Sequence, residues 1–317
     1  MDMFADPIGV KSEHAEQFRS GLGGSSANIA AGLCKFGSEA ALVTSVSDDA
    51  VGRFCINQLR GYGVDTRHVR SVAGEVRTSL AVYESVIEDF QNVIYRNNAA
   101  DFQVTIQDVE AVDYTAYGAM VTTGTVFAAE PSRSAHFRAF ELARAAELPV
   151  IFDIDYRPYS WPSAEIAAEA LSRAGAGSDV IIGNDEEFSF MAGDMSKGLQ
   201  KAQDLASGGA EIVIYKMGEN GAITFADGQE IRTGVYPVTA LKPNGAGDSF
   251  MAGLLSGLAT GMGLREAVLR GSACAAIVVA KPGCAPSMPN QAQLDDFLST
   301  HPGPVQAAET PHAHSAL

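Results

Sequence analysis

Apolar residues fall along this chain in short unbroken runs rather than in alternation with polar ones. The runs are ALVTSV (41–46), AMVTTG (119–124), VIFDID (150–155), VIIGN (180–184) and IVIYK (212–216). Each is rich in β-forming residues and turns polar only near its carboxyl end, as strands covered on both faces of a parallel sheet do. Between them lie stretches of helical period, such as SANIAAGLCKFG, DAVGRFCINQLRGYG and SRSAHFRAFELARAAEL. Strand and helix alternating at this spacing predict an α/β fold, a doubly wound and mostly parallel sheet flanked by helices.

One region breaks the alternation. TSLAVYESVIEDFQNVIYRNN (78–98) reads as two strands joined by a polar turn around Glu88–Gln91, with no crossover helix between them. Segment 76–100 and residues 5–20 together predict a small accessory sheet. From residue 300 to 317 the composition turns to Pro, Ala and His, which predicts a mobile tail after a domain of residues 1–299.

The stretch NGAGDSFMAG (244–253) carries the most chemistry. Phe250, Met251, Leu254, Leu255 and Leu258 mark one buried face of a helix that ends near Gly261 and Gly263. Gly245, Ala246 and Gly247 then lie at its amino terminus, where up to four backbone amides lack intrahelical partners. The helix dipole adds roughly half a positive charge there. Two readings follow. Asp248 is a base that deprotonates a hydroxyl attacking a phosphoryl group held by those amides, or it is an ordinary cap on a glycine-rich turn. The stretch alone leaves both open. The GxxxxGK[ST] pattern is absent, and GLGGSS (21–26) has Ser26 where GxGxxG needs its third glycine, which argues against a dinucleotide site.

Composition narrows the partners. Among 317 residues, 22 basic and 38 acidic side chains give a net charge of −16. That field repels phosphate backbones and anionic lipid, so neither nucleic acid nor a membrane is expected as a partner. No apolar run approaches the roughly 18–20 residues of a membrane span. The start MDMFADPIGVKSEHAEQF lacks the pattern of a secretory signal. Cys34, Cys55, Cys274 and Cys284 form no CxxC pair and are expected to be reduced thiols of a cytoplasmic protein.

Four motifs in register resemble the ribokinase-like (PfkB) sugar kinases. They are Gly23-Gly24-Ser25-Ser26-Ala27-Asn28-Ile29-Ala30, Asn184-Asp185-Glu186-Glu187, Lys216-Met217-Gly218-Glu219-Asn220-Gly221 and Asn244–Phe250, spread along residues 2–298. The resemblance implies ATP as phosphate donor with Mg²⁺, and it favours Asp248 as base with Gly245, Ala246 and Gly247 as the anion hole. It implies sugar contacts from Gly23, Gly24 and Asn28. Asn184 and Glu187 would organise Mg²⁺ and the nucleotide phosphates largely through water. Lys216, Gly218 and Gly221 would follow the ATP phosphates and ribose, and Gly283 would lie near the adenine with the helix over 265–280. The accessory sheet becomes a lid over the sugar and a possible homodimer interface.

A narrower set resembles the members that phosphorylate the C6 hydroxyl of 5-dehydro-2-deoxygluconate in inositol catabolism. It comprises Tyr95–Asp101, Glu130–Ser134, Asp153–Trp161 and Gly283–Pro286 with Met288-Pro289. Arg96 on the lid and Arg157 past a strand's carboxyl end are placed to pair with a substrate carboxylate. Asp153 joins them in the expected substrate set. The alternative role for Arg157 is to brace the loop against Asp153 or Asp155. A 2-keto-3-deoxygluconate kinase, a fructokinase-type enzyme and a sugar-binding regulator on the same fold are the competing readings.

Two departures from the family stand out. Relatives begin with a central strand ending in an aspartate that binds sugar hydroxyls. Here Met1-Asp2-Met3-Phe4 resembles the end of that strand, with Asp2 as the aspartate, so further residues are expected upstream. An inner strand's absence would leave unpaired backbone groups at about 1–3 kcal/mol each. Lys242-Pro243-Asn244 stands where many relatives have Asp-Thr or Asn-Thr, positions that hold a monovalent cation in some members. The sequence therefore gives no expectation of K⁺ activation, and Lys242 brings a charge of its own.

Overall fold

In the computed structural model, which describes residues 1–86 and 88–305, the chain opens with β1 (Asp2–Asp6), β2 (Gln17–Gly21), α1 (Ser25–Lys35), β3 (Thr44–Ser47), α2 (Ala50–Gly61) and β4 (Val69–Val72). The middle third holds β5 (Leu80–Tyr83), β6 (Asn92–Tyr95), α3 (Ile106–Glu110), β7 (Met120–Thr123), α4 (Ser132–Ala145), β8 (Val150–Asp153), α5 (Ala164–Ala176) and β9 (Val180–Asn184). The last third runs through α6 (Asp185–Ala192), α7 (Gly198–Ser207), β10 (Ile212–Lys216), β11 (Ala222–Ala226), β12 (Gln229–Thr233), α8 (Ala246–Ala259), α9 (Leu264–Val279) and α10 (Gln291–Thr300). All five apolar runs contain strands, and the three helical stretches quoted above contain α1, α2 and α4.

The main sheet has the order β12-β11-β10-β9-β8-β7, with β7 to β10 parallel. Its side chains explain the unbroken apolar runs. Ile151, Val180, Ile182 and Ile214 pack with Ile29, Phe250, Met251 and Leu254 of α1 and α8 on one face. Phe152, Ile181, Val213 and Tyr215 pack with Phe140, Leu171 and Phe188 of α4, α5 and α6 on the other. Both parities of each strand are therefore buried, and truncating a fully enclosed ring such as Phe152 costs about 3–5 kcal/mol. The antiparallel β11–β12 hairpin was not anticipated. Its signal was present, since Asp227-Gly228 takes positive φ at both positions, the geometry a two-residue hairpin turn favours.

The accessory sheet has the order β2-β1-β5-β6. Its β5–β6 hairpin is as expected, but β1 corrects the reading of the amino terminus. Asp2 to Asp6 pair antiparallel with β2, and Asp2 to Phe4 pair parallel with β5, so Met3 and Phe4 belong to the lid and not to the central sheet. β3 and β4 form a separate two-stranded parallel sheet. No strand among the described residues bridges β3 to β7, and the buried hydroxyls of Ser45 and Thr122 lack hydrogen-bond partners there.

Residues 301–305, expected as the start of a mobile tail, lie among the described residues. Val305 exchanges two main-chain hydrogen bonds with Val235, at 2.8 and 3.0 Å, which ties the segment after α10 to the segment after β12. Residues 306–317 of that tail lie outside the described residues. Among the described residues, no helix is long and apolar enough to cross a membrane.

Candidate active site

The carboxyl ends of β8, β9 and β10, the start of α8 and the underside of the lid border a cavity of about 1270 Å³, which also extends between β3 and β7 and along α9. Parallel strands aim their carboxyl ends at such a crevice, where helices that follow them present amide-rich amino termini. Asp2, Gly23, Asn28, Arg96, Asp153, Arg157, Asn184, Glu187, Lys216 and the Gly245–Asp248 turn all border it.

At the start of α8, Gly245 adopts φ +82°, a left-handed turn that glycine makes without a Cβ penalty. No side chain caps this helix. The amides of Gly245, Gly247 and Asp248 donate no hydrogen bond to described residues, and that of Ala246 reaches only Pro243 O at 3.4 Å. Donors therefore remain for a ligand. Lys216 Nζ lies 3.5 Å from where a β-carbon on Gly247 would sit, bringing a cation to the same place.

Asp248 is held rather than loose. Ser25 Oγ donates to its Oδ1 at 2.6 Å and Asn28 Nδ2 to its Oδ2 at 2.8 Å. Burial and the neighbouring Asp155 carboxylate raise its pKa above the ordinary 3.8, while those two hydrogen bonds oppose the rise. A carboxylate so placed is a better proton acceptor near neutrality than a solvated one. Asn28 is 3% exposed and its Oδ1 has no partner among the described residues, so the side chain that steadies the base still needs a hydroxyl or amine donor.

Asp2 and Gly23 meet at the floor of the lid. A β-carbon on Gly23 would fall 1.8 Å from Asp2 Oδ1, so only glycine permits this approach. Burial lifts the Asp2 carboxyl to about 6. Asp153 is 4% exposed, its carboxyl makes no hydrogen bond or ion pair among the described residues, and its pKa is raised well above 3.8 by burial despite Lys216 nearby. Glu187, Asp155 and Asp248 add to that rise.

Asn184 and Glu187 form a reciprocal cap on α6. Asn184 Oδ1 accepts from Glu187 N and Glu187 Oε2 from Asn184 N, both at 2.8 Å. Glu187 Oε1 lies 3.6 Å from Arg157 Nη1. Among the described residues, no group of three or more His, Cys, Asp or Glu side chains is arranged to hold a metal directly.

The arginines are more engaged than expected. Arg157 pairs with Asp155 at 2.7 Å and donates to Tyr156 O, the bracing role, with Asp155 rather than Asp153 as partner. Arg96 pairs with Asp101 through two nitrogens and stacks 4.2 Å from the Phe102 ring centroid. Both still border the cavity with donors to spare. Gly24 caps α1 without a side-chain bond. Gly218 and Gly221 lie on the loop after β10, within the cavity wall. Gly283 does not border the cavity. A β-carbon on Gly283 would fall 3.5 Å from the Phe4 ring on the lid side, whereas its neighbour Cys284 borders the cavity, as do Ser272, Ala275 and Val279 of α9. Sequence reasoning missed Ser25 and Asp155 as site residues. Ser25 stands inside a quoted motif and Asp155 was named only as a brace for Arg157; the fold is what brings both to Asp248.

With this geometry in place, residues 2–291 match the pfkB family carbohydrate kinase description. The chain is 35% identical over 306 residues to the 5-dehydro-2-deoxygluconokinase of Geobacillus kaustophilus (strain HTA426), covering 95% of this chain and 91% of that protein. A crystal structure of a PfkB protein from Polaromonas sp. JS666 superposes with a TM-score of 0.77 at 27% identity, over 90% of this chain and 95% of that one. A putative ribokinase II from E. coli, crystallised with ATP and Mg²⁺, shares the fold at a TM-score of 0.83 and 20% identity, over 95% and 96% of the two chains. The chain belongs to the PfkB family and is a carbohydrate kinase.

Proposed function

We propose that this PfkB-family kinase transfers the γ-phosphate of ATP to the terminal C6 hydroxyl of a keto-deoxy sugar acid, 5-dehydro-2-deoxygluconate. The observation that carries the reading is the pairing of a held carboxylate, Asp248, with the unbonded amides of Gly245 and Gly247 at one helix start. The relative named above supports the choice of acceptor. So do two arginines on the cavity wall of a protein with net charge −16, since a neutral sugar would give them less to bind.

In the proposed reaction, Asp248 takes the proton of the C6 hydroxyl as its oxygen attacks the γ-phosphorus. The bond from that phosphorus to the β–γ bridging oxygen breaks, and ADP departs with the electron pair. The Gly245–Gly247 amides and Lys216 balance the charge that spreads over the moving phosphoryl oxygens. Asn28 Oδ1, Asp2 and Gly23 orient the sugar beneath the lid.

The donor set suits a hydrated divalent ion. Asn184 Oδ1 and Glu187 Oε2 are spent on the α6 cap, and the Glu187, Asp155 and Asp248 carboxylates raise the pKa of buried Asp153, a crowding of negative charge that a divalent cation would relieve. Bound Mg²⁺ would be held through water by Asn184 and Glu187 and would neutralise the nucleotide's phosphates. We further read the lid, with exposed Ile8, Val93 and Tyr95, as the face for a second copy of the chain, and the protein as cytoplasmic.

Measuring ATP turnover with 5-dehydro-2-deoxygluconate, 2-keto-3-deoxygluconate, fructose and ribose tests the acceptor. The keto-deoxy acid should give the highest kcat/KM, and a neutral sugar turned over faster would overturn the assignment.

A further inference from the structure

Lys242 is among the most enclosed side chains in the protein, at 0% exposure, yet its ammonium forms no ion pair among the described residues. Burying a bare ammonium costs several kcal/mol unless its donors are met. Main-chain oxygens meet them here. Nζ donates to the carbonyl of Asn244 and, at 3.4 Å, to that of Val278 in the last turn of α9. Val278 O stands at the negative end of a 16-residue helix. Burial lowers the lysine's pKa, while the nearby Asp2 and Asp248 carboxylates favour its charged form.

The position of the Asn244 carbonyl gives this contact its consequence. The peptide joining Asn244 to Gly245 is planar and trans, so its C=O and N–H point in opposite directions. A carbonyl drawn inward to Lys242 turns the Gly245 N–H away from the lysine. That N–H has no partner among the described residues, and Gly245 borders the cavity. Among the described residues no other side chain anchors the main chain of this loop, and α8 lacks a side-chain cap.

We propose that Lys242 is a positioning residue, a built-in monovalent cation that fixes the Asn244–Gly245 peptide and holds the anion hole open to phosphate without any metal ion at that spot. The inference rests on the phosphoryl-transfer reading of the Gly245–Asp248 turn. It predicts that turnover does not depend on which monovalent cation is in solution, and that removing the charge lowers kcat rather than sugar affinity.

The test measures steady-state turnover of wild type, Lys242→Met and Lys242→Ala in KCl and in tetramethylammonium chloride at equal ionic strength. Wild type should differ less than about twofold between the salts. Lys242→Met should lose about tenfold or more in kcat in both salts, the scale of one lost hole donor or less, with sugar KM within about twofold. Lys242→Ala should fall as far in tetramethylammonium and recover several-fold in KCl or ethylammonium chloride, because a small cation reaches the vacated carbonyls. Several-fold activation of wild type by K⁺, an unimpaired Lys242→Met, or a natively melting Lys242→Ala that no cation restores would each overturn the inference. If Lys242→Met fails to fold, the wild-type and Lys242→Ala arms decide. A wild type that phosphorylates none of the four sugars overturns the proposed function, and this inference falls with it; normal wild-type turnover with an unaffected variant overturns this inference alone.

Discussion

Asn28 Nδ2 donates to Asp248 Oδ2 at 2.8 Å, joining the first turn of α1 to the first turn of α8 across 220 residues of chain. Ser25 Oγ completes the clasp on Oδ1 at 2.6 Å. Two helix starts thus converge on one carboxylate, which is fixed beside the amides it must work with.

The pH profile follows from that clasp. Asp248 accepts a proton only when ionised, and burial with the Asp155 charge raises its pKa above 3.8. Turnover should therefore fall as pH drops through a limb lying above 3.8. Ser25→Ala removes a hydrogen bond that favours the carboxylate, so the limb should move to higher pH. A kcat profile of both proteins checks this; an unmoved limb contradicts the assignment.

Gly23→Ala should damage sugar use more than folding. The added β-carbon meets Asp2 Oδ1 at 1.8 Å, so the carboxylate must be displaced. A shift of about 1 Å at a substrate-positioning group costs on the order of a hundredfold in kcat/KM. Kinetics beside thermal melting separate the two effects. A normal kcat/KM would remove Asp2 from the sugar site.

Asp153 carries a stability cost that function explains. Its folded pKa is raised, chiefly by burial, so ionising it favours the unfolded state, and the penalty grows as pH rises from 3.8 through the folded value. Asp153→Asn should raise Tm by about 2 °C or more at pH 8. The gain should shrink toward zero near pH 4, where the native carboxyl is already neutral. Melting curves across that range test the sign, and activity should fall while stability rises.

Arg157 offers a test of the acceptor's charge. It is braced by Asp155, so Arg157→Lys keeps a cation but loses the planar fork. KM for the keto-deoxy acid should rise about tenfold or more, the loss of one charge-assisted hydrogen bond, while any slow turnover of fructose changes little. Equal effects on both substrates would assign Arg157 to bracing alone.

How much of this was legible in the sequence depends on which interactions are local. Buried parallel strands announce themselves because both faces are apolar, and all five runs were read. The open start of α8 was legible because Gly245, Ala246 and Gly247 precede an apolar stripe. Contacts across the sheet were not. Ser25 is one hydroxyl among several in its motif, and only the packing of α1 on α8 picks it out. Asp155 sits at φ +33°, a backbone state a non-glycine residue does not advertise. Only residues 1–4 were expected in the central sheet; they belong with Ala5 and Asp6 in the lid because the strand's partners, β2 and β5, are chosen by tertiary pairing and not by its own pattern. Gly283, expected near the adenine, stays out of the cavity wall while its neighbour Cys284 borders it, a difference of one position that the motif does not signal.

The most direct measurement compares wild type with Asp248→Asn, reading kcat by coupled assay and sugar affinity by calorimetry. Losing a general base should lower kcat by about 10²–10⁴-fold, with the sugar's Kd within about threefold of wild type. Turnover retained within a few-fold would contradict the central claim, because the proton would then be leaving by another route.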